Sequence, residues 1–432
     1  MERSHDPREF IRGIQQILIN DTIRIGFLFG AGSSMAAPLT DKVGKEILDS
    51  KRRNVPLIPG VWSMTEKIIK SIKDEDFQKA LNVIREELED SEIDPKKKGN
   101  VFMLENIISA IDQKLRVIGK AELCGLNKER LKELRKLFQN EIKNLVSVHI
   151  NKDINIARSS QLHSDFARWI GYANRKHAIE VFTTNYDYLF EIGFESKKLS
   201  YFDGFVGGYK SFFDPISVEN DNLIPKWTRL WKLHGSLGWG YDKEEKRIIR
   251  TREISDDEIV IYPSMLKYDD SRKQPYSSYI ERLSSFLKKD DGVLFICGYS
   301  FGDDHLNDTI MNALAQSKSS TIIALVFDNK LSEESPPVNI GRRSNKIMIC
   351  GNKSALIGGM FADWKLKREP AKEDFEFIDQ FFDRDAPTPE KDKGMGDEIE
   401  RPSGNLKLVD FKEFVKFLIE LSYPPKLNEN GK

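Results

Sequence analysis

Apolar residues recur along this chain with two periods, and each change of period marks a change of architecture. Behind Asp6-Pro7, an N-cap followed by a proline suited to the first helical position, Phe10, Ile11, Ile14 and Leu18 fall on one helical face. Residues 24–29 read as a strand that runs straight into Gly30-Ala31-Gly32. Val43, Ile47 and Leu48 share a face within 41–50, which predicts a short helix after that turn. The helical period then dominates through residue 158. Phe77, Leu81, Ile84 and Leu88 line one helix; Leu104, Ile107, Ile108, Ile111 and Leu115 a second; Leu131, Leu134, Phe138, Ile142 and Leu145 a third. Polar turns such as Asp94-Pro95-Lys96-Lys97-Lys98-Gly99 join them.

After residue 160 strands and helices alternate. The pattern predicts a helix at 162–174 and strands at 178–183, 229–233, 257–262, 292–297, 321–327 and 346–350. The runs 293–297 and 322–327 are continuously apolar, as expected for strands buried on both faces. Residues 384–404 are rich in Pro, Gly and charge and read as a linker or disordered loop. An amphipathic helix at 408–422 carries Val409, Phe411, Phe414, Val415, Phe417, Leu418 and Leu421, and either caps the body or mediates assembly. The predicted fold class is α/β: a doubly wound, Rossmann-like parallel sheet from residues 1–50 and 160–365, a helical insertion at 51–159, a charged linker or loop at 366–405 and a C-terminal helix within 406–432.

Composition narrows the function classes. The chain has 432 residues, 39% hydrophobic and 31% charged, with a net charge of −1, so it holds a sizeable core under a highly charged surface of balanced sign. That balance argues against direct nucleic-acid binding as the main task. Cys124, Cys297 and Cys350 form no CxxC pair and no metal-ligand spacing, and their odd number argues against a disulfide framework. No run approaches the roughly 18 apolar residues that span a bilayer, and no apolar signal region follows Met1. A cytoplasmic protein without a membrane role is expected.

Five short clusters carry candidate chemistry. In Phe27-Leu28-Phe29-Gly30-Ala31-Gly32-Ser33-Ser34-Met35 a strand ends in glycines and serines, a geometry that brings backbone N–H groups against a pyrophosphate; a tight turn explains the same residues, and no third glycine stands at the Rossmann spacing. Thr183-Thr184-Asn185-Tyr186-Asp187 ends a strand where open α/β sheets hold ligands, or caps the next helix. His234-Gly235-Ser236 follows another strand; a histidine there is a candidate general base or a core residue. Gly298-Tyr299-Ser300 repeats the strand–glycine–serine arrangement ahead of a helix with Asp303, Asp304 and His305. Asp328 ends the next strand, where a ribose hydroxyl is often held, or makes a simple turn.

These pieces, in this order, resemble the sirtuin family. Gly30-Ala31-Gly32 with Ser34 is similar to the sirtuin GAG-x-S loop, and Asp41 falls at the spacing of the Asp in its G-I-P-D-F segment. Thr183-Thr184-Asn185-Tyr186-Asp187 resembles T-Q-N-I-D, His234-Gly235 the catalytic His-Gly pair, Gly298-Tyr299-Ser300 the later G-T-S loop, and His163 the histidine that opens the preceding helix. The chain also departs from the family. Residues 240–290 contain no cysteine, so the zinc ribbon of sirtuin deacetylases cannot be built there. The G-I-P-D-F segment reads Pro38-Leu39-Thr40-Asp41-Lys42, and about a hundred residues, read above as helical, separate the first two motifs. The wording of 297–307 and of Tyr262-Pro263-Ser264-Met265-Leu266-Lys267 is similar to that of bacterial sirtuin-like proteins of antiviral defence.

That resemblance implies an NAD⁺ hydrolase with NAD⁺ as substrate and no metal, acting in abortive infection. It implies catalytic roles for Asn185, Asp187 and His234, and NAD⁺ contacts from Gly30, Ala31, Gly32, Ser34, Asp41, Thr183, Gly298, Ser300 and Asp328. It implies a homo-oligomer, or a partner such as a HerA-type ATPase or a short Argonaute. An NAD-dependent lysine deacylase and a non-catalytic NAD or ADP-ribose sensor are the alternatives.

Overall fold

The computed structural model describes residues 3–91, 101–220, 226–251, 258–260, 274–328, 330–368, 376–385 and 404–422. The main sheet contains β1 (Ser4–His5), β2 (Arg24–Phe29), β3 (Glu180–Thr183), β4 (Tyr201–Phe202), β5 (Thr228–Lys232), β6 (Gly292–Cys297), β7 (Thr321–Leu325), β8 (Ile347–Cys350), β9 (Ser354–Ile357) and β10 (Met360–Trp364). Their order is β1-β10-β9-β8-β7-β6-β2-β3-β5-β4. From β4 to β8 every neighbouring pair is parallel; β9 and β10 add antiparallel pairings at one edge. After β1, which pairs with β10 at one edge, the chain enters the middle of the sheet at β2, winds outward through β3, β5 and β4, then crosses to β6 and winds the other way. Such a reversal opens a crevice at the C-terminal ends of the two central strands, here β2 and β6.

Strand alternation sends neighbouring side chains to opposite faces. Phe27, Phe29, Phe295 and Cys297 join one core with helices Pro7–Ile19, Gln161–Tyr172 and Phe411–Ser422. Leu28, Leu294 and Ile296 join another with helices Tyr276–Lys288 and Asp304–Gln316. The sheet is therefore covered on both sides, as its apolar runs require. The C-terminal helix is part of the body: Phe414 lies 5.8 Å, ring to ring, from Phe295, and Phe411 lies 5.4 Å from Phe29.

The insertion has its own core. Helices Val61–Ser71, Glu75–Ser91, Leu104–Val117 and Lys128–Val146 bury Ile68, Ile84, Ile107, Leu134 and Phe138, and the same cluster takes in Leu189 and Leu237 from the sheet domain.

Three expectations are corrected. Residues 41–50 form no helix: Val43 is 88% exposed, and bridges Thr40–Glu46 and Leu48–Asn54 fold the segment into two turns. Asp41 accepts the N–H groups of Val43 and Lys45, and Asp49 those of Lys51 and Arg53, so local carboxylates take the amides that a helix would need. The strand expected at 257–262 is Glu258–Val260, antiparallel to strand Gly235–Asp242 in a separate five-stranded sheet; 257, 261 and 262 lie outside the described residues. Within 366–405, residues Phe377–Phe381 form a short helix with Ile378 and Phe381 buried, because the aromatic run Phe377, Phe381 and Phe382 has a core to enter. Residues 369–375 and 386–403 of that linker reading, and 262–267, lie outside the described residues.

Candidate active site

Four loops meet where β2, β3, β5 and β6 end. The first follows β2. Gly30 caps the short helix Ala31–Met35. Its N–H donates to Cys297 O at 3.1 Å, and that of Gly32 to Gly298 O at 2.9 Å. A Cβ on Gly32 would stand 2.6 Å from the Gly298 Cα, and one on Gly30 would stand 2.5 Å from Gly298 O. Gly298 itself has φ +67°, which favours glycine. The glycines of the two loops are thus explained first by each other: the loops touch backbone to backbone, and two of the amides expected to face a pyrophosphate are already bonded.

The second loop follows β3. Thr183 is fully buried and its hydroxyl accepts from Asn185 N at 3.1 Å. Asn185 Nδ2 points into the first loop, 3.0 Å from Gly30 O, 3.1 Å from Ser33 Oγ and 2.8 Å from Ser34 Oγ. Ser34 Oγ donates onward to Asp187 Oδ2 at 2.7 Å, while Asp187 Oδ1 accepts from Leu189 N and starts helix Leu189–Ser196. Asp187 thus accepts from the first residue of the helix with one oxygen and from the first loop with the other. Ser34 is 2% exposed, and its hydroxyl is committed to this chain.

The third loop follows β5. Lys232 is 2% exposed, yet its ammonium group donates to Asp187 O, to Tyr186 O at 3.4 Å and to Glu191 Oε1 at 2.9 Å. It pins the second loop to the end of β5. Burial raises the Glu191 carboxyl above its ordinary range, against the pull of the Lys232 charge. His234 comes next, and its Nε2 lies 3.0 Å from Asp303 Oδ2. Their side chains are 13% and 8% exposed.

The fourth loop follows β6. Phe301 sits at φ +58°, Tyr299 Oη donates to Asn307 Oδ1 at 3.0 Å, and Asn307 Nδ2 donates to Phe301 O at 2.8 Å. These bonds fix Asp303, which caps helix Asp304–Gln316 by accepting from Leu306 N.

The structure therefore brings together Gly30, Ala31, Gly32, Ser34, Thr183, Asn185, Asp187 and Gly298, and places His234 on the neighbouring strand end. Ser300 is exposed in the fourth loop, with Oγ accepting from Gly302 N. Asp328 stands after β7, where Oδ1 accepts from Lys330 N. Asp41 is separate from the hydrogen-bonded set, its carboxylate spent on its own turn. His163 is buried between Phe190 and Phe411 with no hydrogen-bond partner for either ring nitrogen among the described residues. Burial pushes its pKa down to about 4. Lys232, Glu191 and Asp303 were not singled out as site residues by the sequence. A lysine inside the apolar run Leu230-Trp231-Lys232-Leu233 and an aspartate ahead of a helical period are the signals that mark two of them.

Beyond His234 the small antiparallel sheet is held by aromatic packing, with Trp239 5.1 Å and Phe213 5.9 Å from Phe205, ring to ring.

Residues 179–341 match the family profile described as SIR2-like domain. The match takes in Asn185, Asp187, His234, Gly298 and Asp303, and leaves out the first loop and the insertion. No curated protein matches the chain. Among solved structures, one from work on the mechanism and regulation of Sir2 enzymes aligns with 79% of this chain and 92% of its own, at 12% identity and a TM-score of 0.33.

Proposed function

We propose that this chain, whose residues 179–341 are similar to a SIR2-like domain and so point to NAD-related chemistry, is an NAD⁺ hydrolase that cleaves the nicotinamide–ribose bond. The observation that carries the proposal is the convergence of Asn185 and His234, each held by polar partners, on adjacent strand ends beside the β2/β6 crevice. With Nδ2 turned into the first loop, the Asn185 amide oxygen accepts from no described residue and is the atom offered to a ribose hydroxyl or to water. His234 takes the proton. Water oxygen bonds to the ribose C1′, the C1′–N bond breaks with its electron pair passing to nicotinamide, and the water proton passes to His234 and on to solvent. The transition state resembles an oxocarbenium ion, as in other glycosyl transfers, and requires no metal.

The dinucleotide would lie across the paired glycine loops. Ala31 offers the first helical N–H, which has no acceptor within its helix, and Ser300 and Asp328 would face the adenosine half. The aromatic-packed sheet that follows His234 supports hydrolysis over lysine deacylation, because it stands where the resembled deacetylases carry their zinc ribbon. The resemblance supports a role in antiviral defence in the cytoplasm, with the activity gated by self-assembly or by a partner such as a HerA-type ATPase or a short Argonaute. The insertion packs on Leu189, in the helix after Asn185, and on Leu237, in the strand after His234, which would give a partner a route to the site.

The test compares nicotinamide release with and without an acyl-lysine peptide. Release without peptide supports the hydrolase. Release only with peptide would establish the deacylase, and NAD⁺ binding without release, with infected-cell extract added, would establish the sensor.

A further inference from the structure

Among the described residues, His234 is held by the carboxylate of Asp303. Asp303 Oδ2 stands 3.0 Å from His234 Nε2, while Oδ1 accepts from Leu306 N at 3.0 Å. One oxygen is therefore tied to the N-terminus of helix Asp304–Gln316, where negative charge is favoured, and the other is aimed at the imidazole. The surrounding loop is built to keep it there. Tyr299 Oη reaches Asp303 O at 3.4 Å and Asn307 Oδ1 at 3.0 Å, and Asn307 Nδ2 binds Phe301 O at 2.8 Å. A carboxylate only accepts, so Nε2 is the nitrogen that carries hydrogen toward it and Nδ1 keeps the lone pair.

We propose that Asp303 is the positioning residue of this site: it fixes His234 as the Nε2–H tautomer, makes Nδ1 the base that receives the proton during NAD⁺ cleavage, and stabilises the imidazolium that results. The proposal rests on the hydrolase reading above. Asp303 touches no reacting atom and acts through His234. The loop after β6 and the start of its helix thereby acquire a purpose other than holding adenosine: Tyr299, Phe301 and Asn307 hold the residue that holds the base.

The test is Asp303→Asn. Asparagine caps a helix as well as aspartate does, so Leu306 N keeps its acceptor and the fold survives. Its Nδ2 then donates toward His234 Nε2, and the proton moves to Nδ1, where it blocks the base. Nicotinamide release should fall about 10²–10⁴-fold in kcat, the usual span for a placed base, with KM for NAD⁺ unchanged. In a His234→Ala background the same substitution should have no further effect. A second readout needs no turnover. With ¹⁵N-labelled imidazole, and six histidines in the chain to assign, His234 should be the Nε2–H tautomer in the wild type and Nδ1–H in Asp303→Asn. The same tautomer in both proteins, or wild-type kcat in Asp303→Asn, would overturn the proposal. A tautomer change with no NAD⁺ cleavage by the wild type would uphold the His234–Asp303 assignment and sink the hydrolase reading alone.

Discussion

At the scale of single residues, the pairs that define this site are made between loops. Asn185 is both candidate catalyst and fastener, because its Nδ2 serves three acceptors of the first loop. Asn185→Ala should therefore silence turnover and also cost about 1–3 kcal/mol of stability, the usual penalty for leaving buried partners unsatisfied. His234→Ala should silence turnover with a smaller stability cost; denaturant melts beside nicotinamide assays separate the two. Gly32→Ala tests what the glycines are for. Its Cβ would meet Gly298 backbone at 2.6 Å, so a stability loss of about 1–3 kcal/mol should appear with no nucleotide present. A variant as stable as the wild type that only binds NAD⁺ less well would return the glycines to the ligand. His163 supplies a pH signature. Its pKa is about 4 in the folded chain against 6.5 for an ordinary histidine, so unfolding takes up a proton between those values. Stability is full above pH 6.5 and declines as pH falls toward 4, by about 1.4 kcal/mol per unit at most. Since neither ring nitrogen has a partner among the described residues, His163→Leu should hold or raise stability at pH 7 and flatten the decline, as read by melts between pH 5 and 7.

At the scale of elements, what the sequence makes legible is what local pattern dictates. The continuous runs of β2, β6 and β7 and the one-sided stripes of the insertion helices point to their own burial, and the structure places them close to the expected bounds. The 41–50 segment misleads because Val43, Ile47 and Leu48 fit a helical face while Asp41 and Asp49 divert the backbone into turns. The second sheet is illegible because strands such as Phe205–Val206 and Phe212–Phe213 are too short to carry a period. Asp303 escapes notice as a site residue for another reason: its partner is 69 residues away, and only the crossing from β5 to β6 brings the two together. The C-terminal helix, left open between cap and assembly device, packs Phe411, Phe414 and Phe417 into the sheet core. Phe414→Ala should cost about 3–5 kcal/mol, as truncation of a buried phenylalanine usually does, and a loss under 1 kcal/mol in urea melts would show the helix to be loosely held.

At the scale of the whole molecule, a doubly wound sheet brings four loops together at its β2/β6 reversal, and an insertion with its own core packs on Leu189 and Leu237, which follow two of those loops. On the proposal above, what binds the insertion sets the turnover of the site. A cell tolerates an NAD⁺ hydrolase only when it is restrained, so the chain alone should be slow and should accelerate on assembly. Light scattering alongside the activity assay tests this: a fully active monomer would contradict it. The central claim has a more direct test. Purified protein, alone and with extract from infected cells, is incubated with NAD⁺ and no acylated peptide, and nicotinamide and ADP-ribose are separated by chromatography, with His234→Ala in parallel. Nicotinamide release by the wild type that disappears in the variant is the predicted result. Release that persists undiminished in His234→Ala, or none from the wild type under either condition, would contradict the assignment of NAD⁺ hydrolysis to this site.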